Sequence, residues 1–231
     1  MKFRFEKSAA PKVLRDWIAD EEQRRSPWNE FGVKRVGDKA DGENIKAKVR
    51  TQLHSDQRGL CCYCYARTGD DHRSHIEHIE AQSDENRYEW QNLALACEGG
   101  NTGHNPRHCD HSKGDQPLLR IHPYRNPVRM HVRLGGKGQL KPVSGADTES
   151  WWQKDIEKVL NLNADHLKRL RSAARDAALA DLGGARRRRA RGWRPRDLRS
   201  MHAEVCDRLR DKRPADYDPL VLDWLERRMA R

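Results

Sequence analysis

Cysteine and histidine are concentrated in one stretch of this 231-residue chain. Cys61, Cys62, Cys64, Cys97 and Cys109 lie between positions 60 and 115, with Cys206 alone outside, and His72, His75, His78, His104, His108 and His111 share that window. In a reducing compartment such clustering points to metal binding rather than a disulfide framework. Cys61 and Cys64 form a C-x2-C pair. Cys97 and Cys109, separated by eleven residues, can supply the other half of a tetrahedral thiolate site for Zn2+. That gap is long for a zinc knuckle, so the loop EGGNTGHNPRH has to bulge away from the metal. Cys61, not Cys62, has the required spacing to Cys64, which leaves Cys62 pointing elsewhere. The competing reading is a set of buried reduced cysteines, and it is the reading given to Cys206 on its amphipathic helix.

Between the cysteine pairs lies His75-Ile76-Glu77-His78-Ile79. On a strand, Ile76 and His78 share one face and His75 and Glu77 the other. Trp90-Gln91-Asn92-Leu93 follows, and Cys109 is succeeded by Asp110-His111-Ser112-Lys113. Phosphodiester hydrolysis needs a base for water, a divalent cation for the developing charge, and groups that orient both. A histidine suits the base, and the carboxylates Glu77 and Asp110 suit Mg2+ or Mn2+. Zinc on Cys64 and Cys109 would draw those two carboxylates together. His75 reads as a hydrogen-bonded strand histidine supporting Glu77, and His72 and His108 as solvated loop residues.

The elements that must position these groups are mostly helical. Val13, Leu14, Trp17 and Ile18 share a helix face, with Ser8 as a possible cap. Residues 24–42 read as a loop. Ile45, Val49 and Leu53 mark an amphipathic helix that Gly59 ends. Val128–Leu134 is β-prone. Trp152, Ile156, Val159 and Leu160 form an apolar stripe, with Trp151 and Trp152 packing helices or docking a partner. Asn163 can cap a helix running to Leu182. Helices are expected over about 196–212 and from Pro219, the last capped by Asp218. The expected division is an N-terminal helical region (1–59), a metal-bearing core (60–145), a helical region (146–184) and a basic helical tail (185–231).

Charge divides along the same lines. Lys and Arg number 46 against 35 Asp and Glu, a net charge of +11 that favours a polyanionic partner. The Cys/His window carries −5, while residues 184–231 carry +7. The window therefore reads as an acidic metal-holding centre inside a basic envelope, with chance surface composition as the bland alternative. Arg186, Arg187, Arg188, Arg189 and Arg191, with Trp193, could grip a phosphate backbone; a solvated charged linker is a nearly equal reading. No apolar run reaches the roughly 20 residues that span a bilayer, and MKFRFEKSAAPK has no secretory apolar region. A cytoplasmic protein without a membrane partner is expected.

Taken together, C-x-Y-C, H-I-E-H-I, W-x-N-L and C…C-D-x-x-K resemble the HNH nuclease motif. GLCCYC, HIEHI, YEWQNLALACEGGN and HCDHSKGD resemble more narrowly the PtuB-type HNH proteins of Septu and retron anti-phage systems. Phe3–Pro11, Ile121-x-Pro-Tyr124 and Val159–Asn163 with Leu167 and Arg171 extend that likeness to about residue 180. The resemblance implies an α+β, predominantly helical protein with a small zinc-stapled ββα-metal (His-Me finger) core flanked by helices. It implies His78 as general base, Glu77 and Asp110 as ligands of Mg2+ or Mn2+, and Asn92 as a brace around the base. It also implies Cys61, Cys64, Cys97 and Cys109 as structural zinc ligands and Lys113 on phosphate. The sequence departs from the family pattern in its opened second cysteine pair, in Asp110 where the family has Asn or His, and in Glu77 where many members have Asp. His111, His104 and Asn101 therefore compete for the second ligand position.

The activity implied is Mg2+-dependent endonucleolytic cleavage, with DNA favoured over RNA, in a complex with a PtuA-like SMC/ABC-type ATPase. The alternatives are a noncatalytic zinc module that binds nucleic acid or a partner protein, and a tRNA-cleaving toxin using the same residues.

Overall fold

The computed structural model describes residues 3–32, 45–69, 74–100, 105–143, 148–180, 194–211 and 213–230. Its elements run α1 (Lys12–Ala19), α2 (Glu21–Arg25), α3 (Ile45–Asp56), β1 (His75–His78), β2 (Leu93–Ala96), α4 (Asp110–Lys113), α5 (Val128–His131), β3 (Val132–Leu134), β4 (Leu140–Pro142), α6 (Thr148–Trp151), α7 (Asp165–Ala180), α8 (Pro195–Arg210) and α9 (Asp218–Met229). α6 continues into a π-helical segment, Trp152–Val159, which buries Trp152, Ile156 and Val159. The two sheets are antiparallel pairs, β1–β2 and β3–β4. Helix and strand thus mix in a small domain.

The strand β2, Leu-Ala-Leu-Ala, is buried on both faces and organises the interior. Its period of two sends Leu93 and Leu95 into one apolar cluster with Leu14, Trp17, Phe31, Val49 and Leu53. Ala94 and Ala96 join the larger cluster, which holds Cys61, Cys64 and Cys109 and extends to Leu225 in α9. β1 pairs in register His75↔Ala96, Ile76↔Leu95, Glu77↔Ala94 and His78↔Leu93. His75 and Glu77 therefore share the alanine face, where small side chains leave room for ligating groups. Ile76 and His78 share the leucine face. Gln57, fully buried, covers the free edge of β2: its amide nitrogen donates to Leu95 O (2.8 Å) and its oxygen accepts from Leu95 N (2.7 Å). Cys62 N donates to Leu95 O (3.0 Å), which seats the first cysteine pair on the same strand.

The C-terminal helices pack on this core. Tyr217 N donates to Tyr65 O (2.8 Å), and Arg67 N to Asp216 Oδ1 (2.6 Å). Trp151 and Trp152 are buried and meet edge to face at 5.7 Å.

Several local expectations change. Ser8 does not cap α1; its amide and hydroxyl both bond Asp56 Oδ2 at 3.0 Å, and Pro11 precedes the helix. Asn163 does not cap α7; it accepts from Leu140 N (2.8 Å) and donates to Glu157 (2.8 Å), because tertiary partners outcompete the helix end. Asp218 lies inside α9, where its carboxylate takes Ala215 N and the Arg208 guanidinium. Val128–His131 is a helical turn entered through Pro127, and only Val132–Leu134 is strand. The expected loop over 24–42 overlaps the end of α2, and its later part lies outside the described residues.

Candidate active site

Four sulfurs converge. Cys61 Sγ lies 3.8 Å from Cys109 Sγ, and Cys64 Sγ lies 3.8 Å from Cys97 Sγ. All four sulfurs fall within 4.8 Å of one another. Zinc–sulfur bonds of about 2.3 Å at tetrahedral angles place sulfurs roughly 3.8 Å apart, so the set fits Zn2+ without rearrangement. It does not fit disulfides, and all six cysteines are free thiols. Burial pushes the Cys61 thiol up, but donation from Cys109, Cys62, Cys64 and Cys97 more than reverses this and holds Cys61 well below the ordinary range. Cys62 stands apart from the four, and burial, then Cys61, pushes it up.

The eleven-residue gap is closed by two glycines. Gly99 and Gly100 have φ of +61° and +75°. A Cβ on Gly99 would meet His108 O at 2.5 Å, and one on Gly100 would meet Pro106 O at 2.5 Å. The returning chain therefore passes close enough for His108 N to donate to Gly99 O (2.9 Å), which delivers Cys109 to Cys61. Cys109 itself has φ +54°, and its amide donates to Leu160 O (2.9 Å). A non-glycine residue there stores roughly 1–3 kcal/mol of backbone strain.

Immediately after Cys109, α4 begins, and it forms a second group with β1. His75, Asp110 and His111 offer ligand atoms within 4.8 Å of one another, and all three are partly exposed. His75 Nδ1 lies 3.6 Å from Asp110 Oδ2, and His75 Nε2 lies 3.2 Å from His111 Nε2. Burial, then the neighbouring His75, lowers the pKa of His111, which favours the neutral imidazole a metal requires. Two imidazoles and a carboxylate fit a divalent transition ion better than Mg2+, which prefers oxygen alone.

Glu77 occupies the layer behind this group. It is 2% exposed; its Oε1 accepts from Tyr63 Oη (2.7 Å) and pairs with Lys113 Nζ (3.0 Å). Burial, then the adjoining Asp110 carboxylate, pushes Glu77 well above the usual carboxylate range, against the pull of Lys113 and Tyr63. Lys113, expected on phosphate, is instead interior at 1% exposure and also donates to His78 O (3.0 Å). Its spacing after Cys109 buries it under α4, where it ties α4 to β1.

His78 sits on the opposite strand face, edge to face with Trp28 at 4.5 Å. Its Nε2 lies 2.9 Å from Arg87 O. A carbonyl only accepts, so Nε2 carries the hydrogen and Nδ1 keeps a lone pair. Burial lowers its pKa, so the ring stays neutral at pH 7. Asn92 Oδ1 accepts from Glu80 N (2.8 Å), and its amide donates to Glu80 O (3.2 Å), so it closes the loop that follows His78.

Two expectations for histidines change. His75 meets Asp110 and His111; among the described residues no hydrogen bond joins it to Glu77. His108 is buried, not solvated: its Nε2 lies 3.6 Å from Cys97 Sγ and its Nδ1 3.2 Å from His166 Nε2. Its position next to Cys109 was the available signal, and His166 had none. Asn101, His104, His72, Trp193, Arg191 and Arg186, Arg187, Arg188 and Arg189 lie outside the described residues.

Residues 61–107 match the family described as HNH endonuclease. That match supports an endonuclease domain acting on phosphodiester bonds of nucleic acid. It spans Cys61, Cys64, His78, Asn92 and Cys97 and stops before Cys109, so α4 lies beyond it. A comparison with curated proteins finds no match. No described helix is long and apolar enough to cross a membrane.

Proposed function

We propose that the protein is a metal-dependent HNH endonuclease with a ββα-metal core made of β1, β2 and α4. The observation that carries this reading is the Cys109–Asp110 peptide, where a four-sulfur group fit for structural zinc adjoins an open histidine–carboxylate group fit for a catalytic ion. A divalent ion held by His75, Asp110 and His111 would polarise the phosphate and take up charge on the leaving oxygen. His78 Nδ1 accepts a proton from the attacking water, and Arg87 O fixes the ring by holding Nε2–H. Glu77 holds the inner edge of Asp110, Lys113 and Tyr63 hold Glu77, and Asn92 braces the loop beyond His78. The ligand set thus keeps Asp110, draws in His111 and His75, and gives Glu77 a positioning part.

The test is cleavage of plasmid DNA and of tRNA with Mg2+, with Mn2+ and with chelator, beside His78→Ala. Mn2+ should support faster cleavage than Mg2+, and His78→Ala should lose about 100-fold or more while keeping its zinc. Full activity of His78→Ala in a clean preparation removes the base assignment.

The likeness to PtuB-type proteins supports a further reading: a cytoplasmic nuclease subunit of an anti-phage complex, licensed by a PtuA-like SMC/ABC-type ATPase, with DNA as substrate. Free thiols at all six cysteines fit a reducing compartment. Co-purification with such an ATPase, and cleavage with and without ATP, tests it. One observation favours the noncatalytic alternative: Glu77 and His78 are only 2% and 7% exposed. Absence of cleavage of either substrate with every ion, both alone and with such an ATPase and ATP, would leave the noncatalytic zinc module as the reading.

A further inference from the structure

A cleft of about 500 Å3 lies against the β3–β4 hairpin, α7 and α9, and it shares no residue with either metal-ligating group. Five cations line it: Arg133, Lys141, Arg175, Arg227 and Arg228. Among the described residues, Asp176 is the one carboxylate in the lining. Two of the five are already engaged. Arg175 donates to Gly136 O (2.6 Å) and Asp176 Oδ1 (2.9 Å), and Arg227 donates to Asp223 Oδ2 (2.8 Å). Arg228 and Arg175 stand over the Trp224 ring, 5.5 and 5.9 Å from its centroid, which orients both guanidinium groups by cation–π attraction.

Arg133 and Lys141 are different. They are direct partners across the β3–β4 ladder, and both are exposed. Side chains at such positions start roughly 5 Å apart, and like charges there repel. Neither has an ion pair or a side-chain hydrogen bond among the described residues. Two unpaired cations opposed on a short hairpin work against the fold. An anion between them removes the conflict. Arg228, held over Trp224 beside them, extends that demand along the groove, which suits a chain of phosphates better than one small anion.

We propose that this cleft binds the phosphate backbone of nucleic acid, as a holding surface separate from the cutting centre. The proposal rests on the reading of the chain as a nuclease acting on nucleic acid, and it names where the substrate is held.

The test is fluorescence anisotropy of the full chain on a labelled duplex of about 30 base pairs and on one of its strands, from about 50 to 200 mM salt, without added divalent ion. The variants are Arg133→Thr, Lys141→Thr and the double variant, with Arg186–Arg189 left intact. The double variant should bind the duplex at least about tenfold more weakly, and its plot of log affinity against log salt should be shallower by about 1.8, two phosphate contacts' worth. Its melting temperature should hold or rise, because the cross-strand repulsion is gone. Unchanged affinity and slope overturn the proposal. So does a loss of affinity that tracks a fall in melting temperature. Displacement of the labelled duplex by poly-aspartate at a clearly lower charge concentration than unlabelled duplex requires overturns it in favour of an acidic protein partner. Wild-type cleavage of plasmid DNA and tRNA, alone and with the proposed ATPase and ATP, is scored separately: binding lost in the variant with no wild-type cleavage under any of these conditions sinks the nuclease reading and keeps the cleft, while cleavage with unaltered binding does the reverse.

Discussion

Two groups of candidate metal ligands meet at one peptide bond, Cys109–Asp110, and differ on each side of it. On one side four sulfurs lie within 4.8 Å of one another, three of them on buried cysteines. On the other, the two imidazoles and the carboxylate are all partly exposed. Closed sulfur sites hold a fold together, and open nitrogen–oxygen sites do chemistry. The difference teaches where each kind of damage should register: the first group in stability, the second in turnover.

The largest expected effect is on the sulfur side. Cys61→Ser should abolish zinc binding and with it the cooperative melting transition, since structural zinc contributes on the order of 10 kcal/mol to folding in small zinc domains. Metal analysis and circular dichroism read this directly; a chain that melts normally without zinc would erase the distinction. Next comes the ion pair that ties α4 to β1 behind the open group. Lys113→Met leaves Glu77 buried without its cation; the carboxyl, already pushed up by burial, then takes up a proton, and the lost pairing should cost about 1–3 kcal/mol in denaturant melts. Adding Glu77→Gln should recover much of that loss, and no recovery would mean that the pair is not the link. His111→Ala belongs to the open side. It should keep zinc at one per chain and its melting temperature within a few degrees, while cleavage with Mn2+ falls about 100-fold. Zinc loss in that variant would merge the two groups into one. The smallest effect is on pH. Because burial lowers the pKa of His78, the neutral base persists to lower pH, and the acid limb of the rate profile should fall below the ordinary imidazole value of about 6.5. A limb at or above 6.5 would show that burial does not set the pKa of the base.

Much of this arrangement could be read from residue order. The x2 spacing picked Cys61 over Cys62, and the sulfur geometry agrees with it. Alternation along 75–78 separated His75 and Glu77 from Ile76 and His78, as the register shows. The helices around Leu14, Val49 and Ile156 followed from their apolar spacing. What could not be read are pairings that exist only after the cysteines close. His75 and His111 are 36 positions apart and meet because β1 and α4 are clamped together. Lysine spacing does not distinguish a phosphate contact from a buried ion pair, and Lys113 makes the ion pair. Ser8 and Asn163 have the chemistry of helix caps, but each found a stronger partner elsewhere in the fold.

The backbone at Cys109, with its φ of +54°, imposes a sequence in time. Zinc shared with the other three sulfurs would hold that residue in its unfavourable conformation, and that hold would aim Asp110 and His111 at His75. During synthesis the ribosome delivers Cys61, Cys64 and Cys97 before the residue that completes the set. A chain made without zinc would therefore be complete in length without bringing Asp110 and His111 to His75. For the nuclease proposed above, metal supply would act in this way as a safety catch.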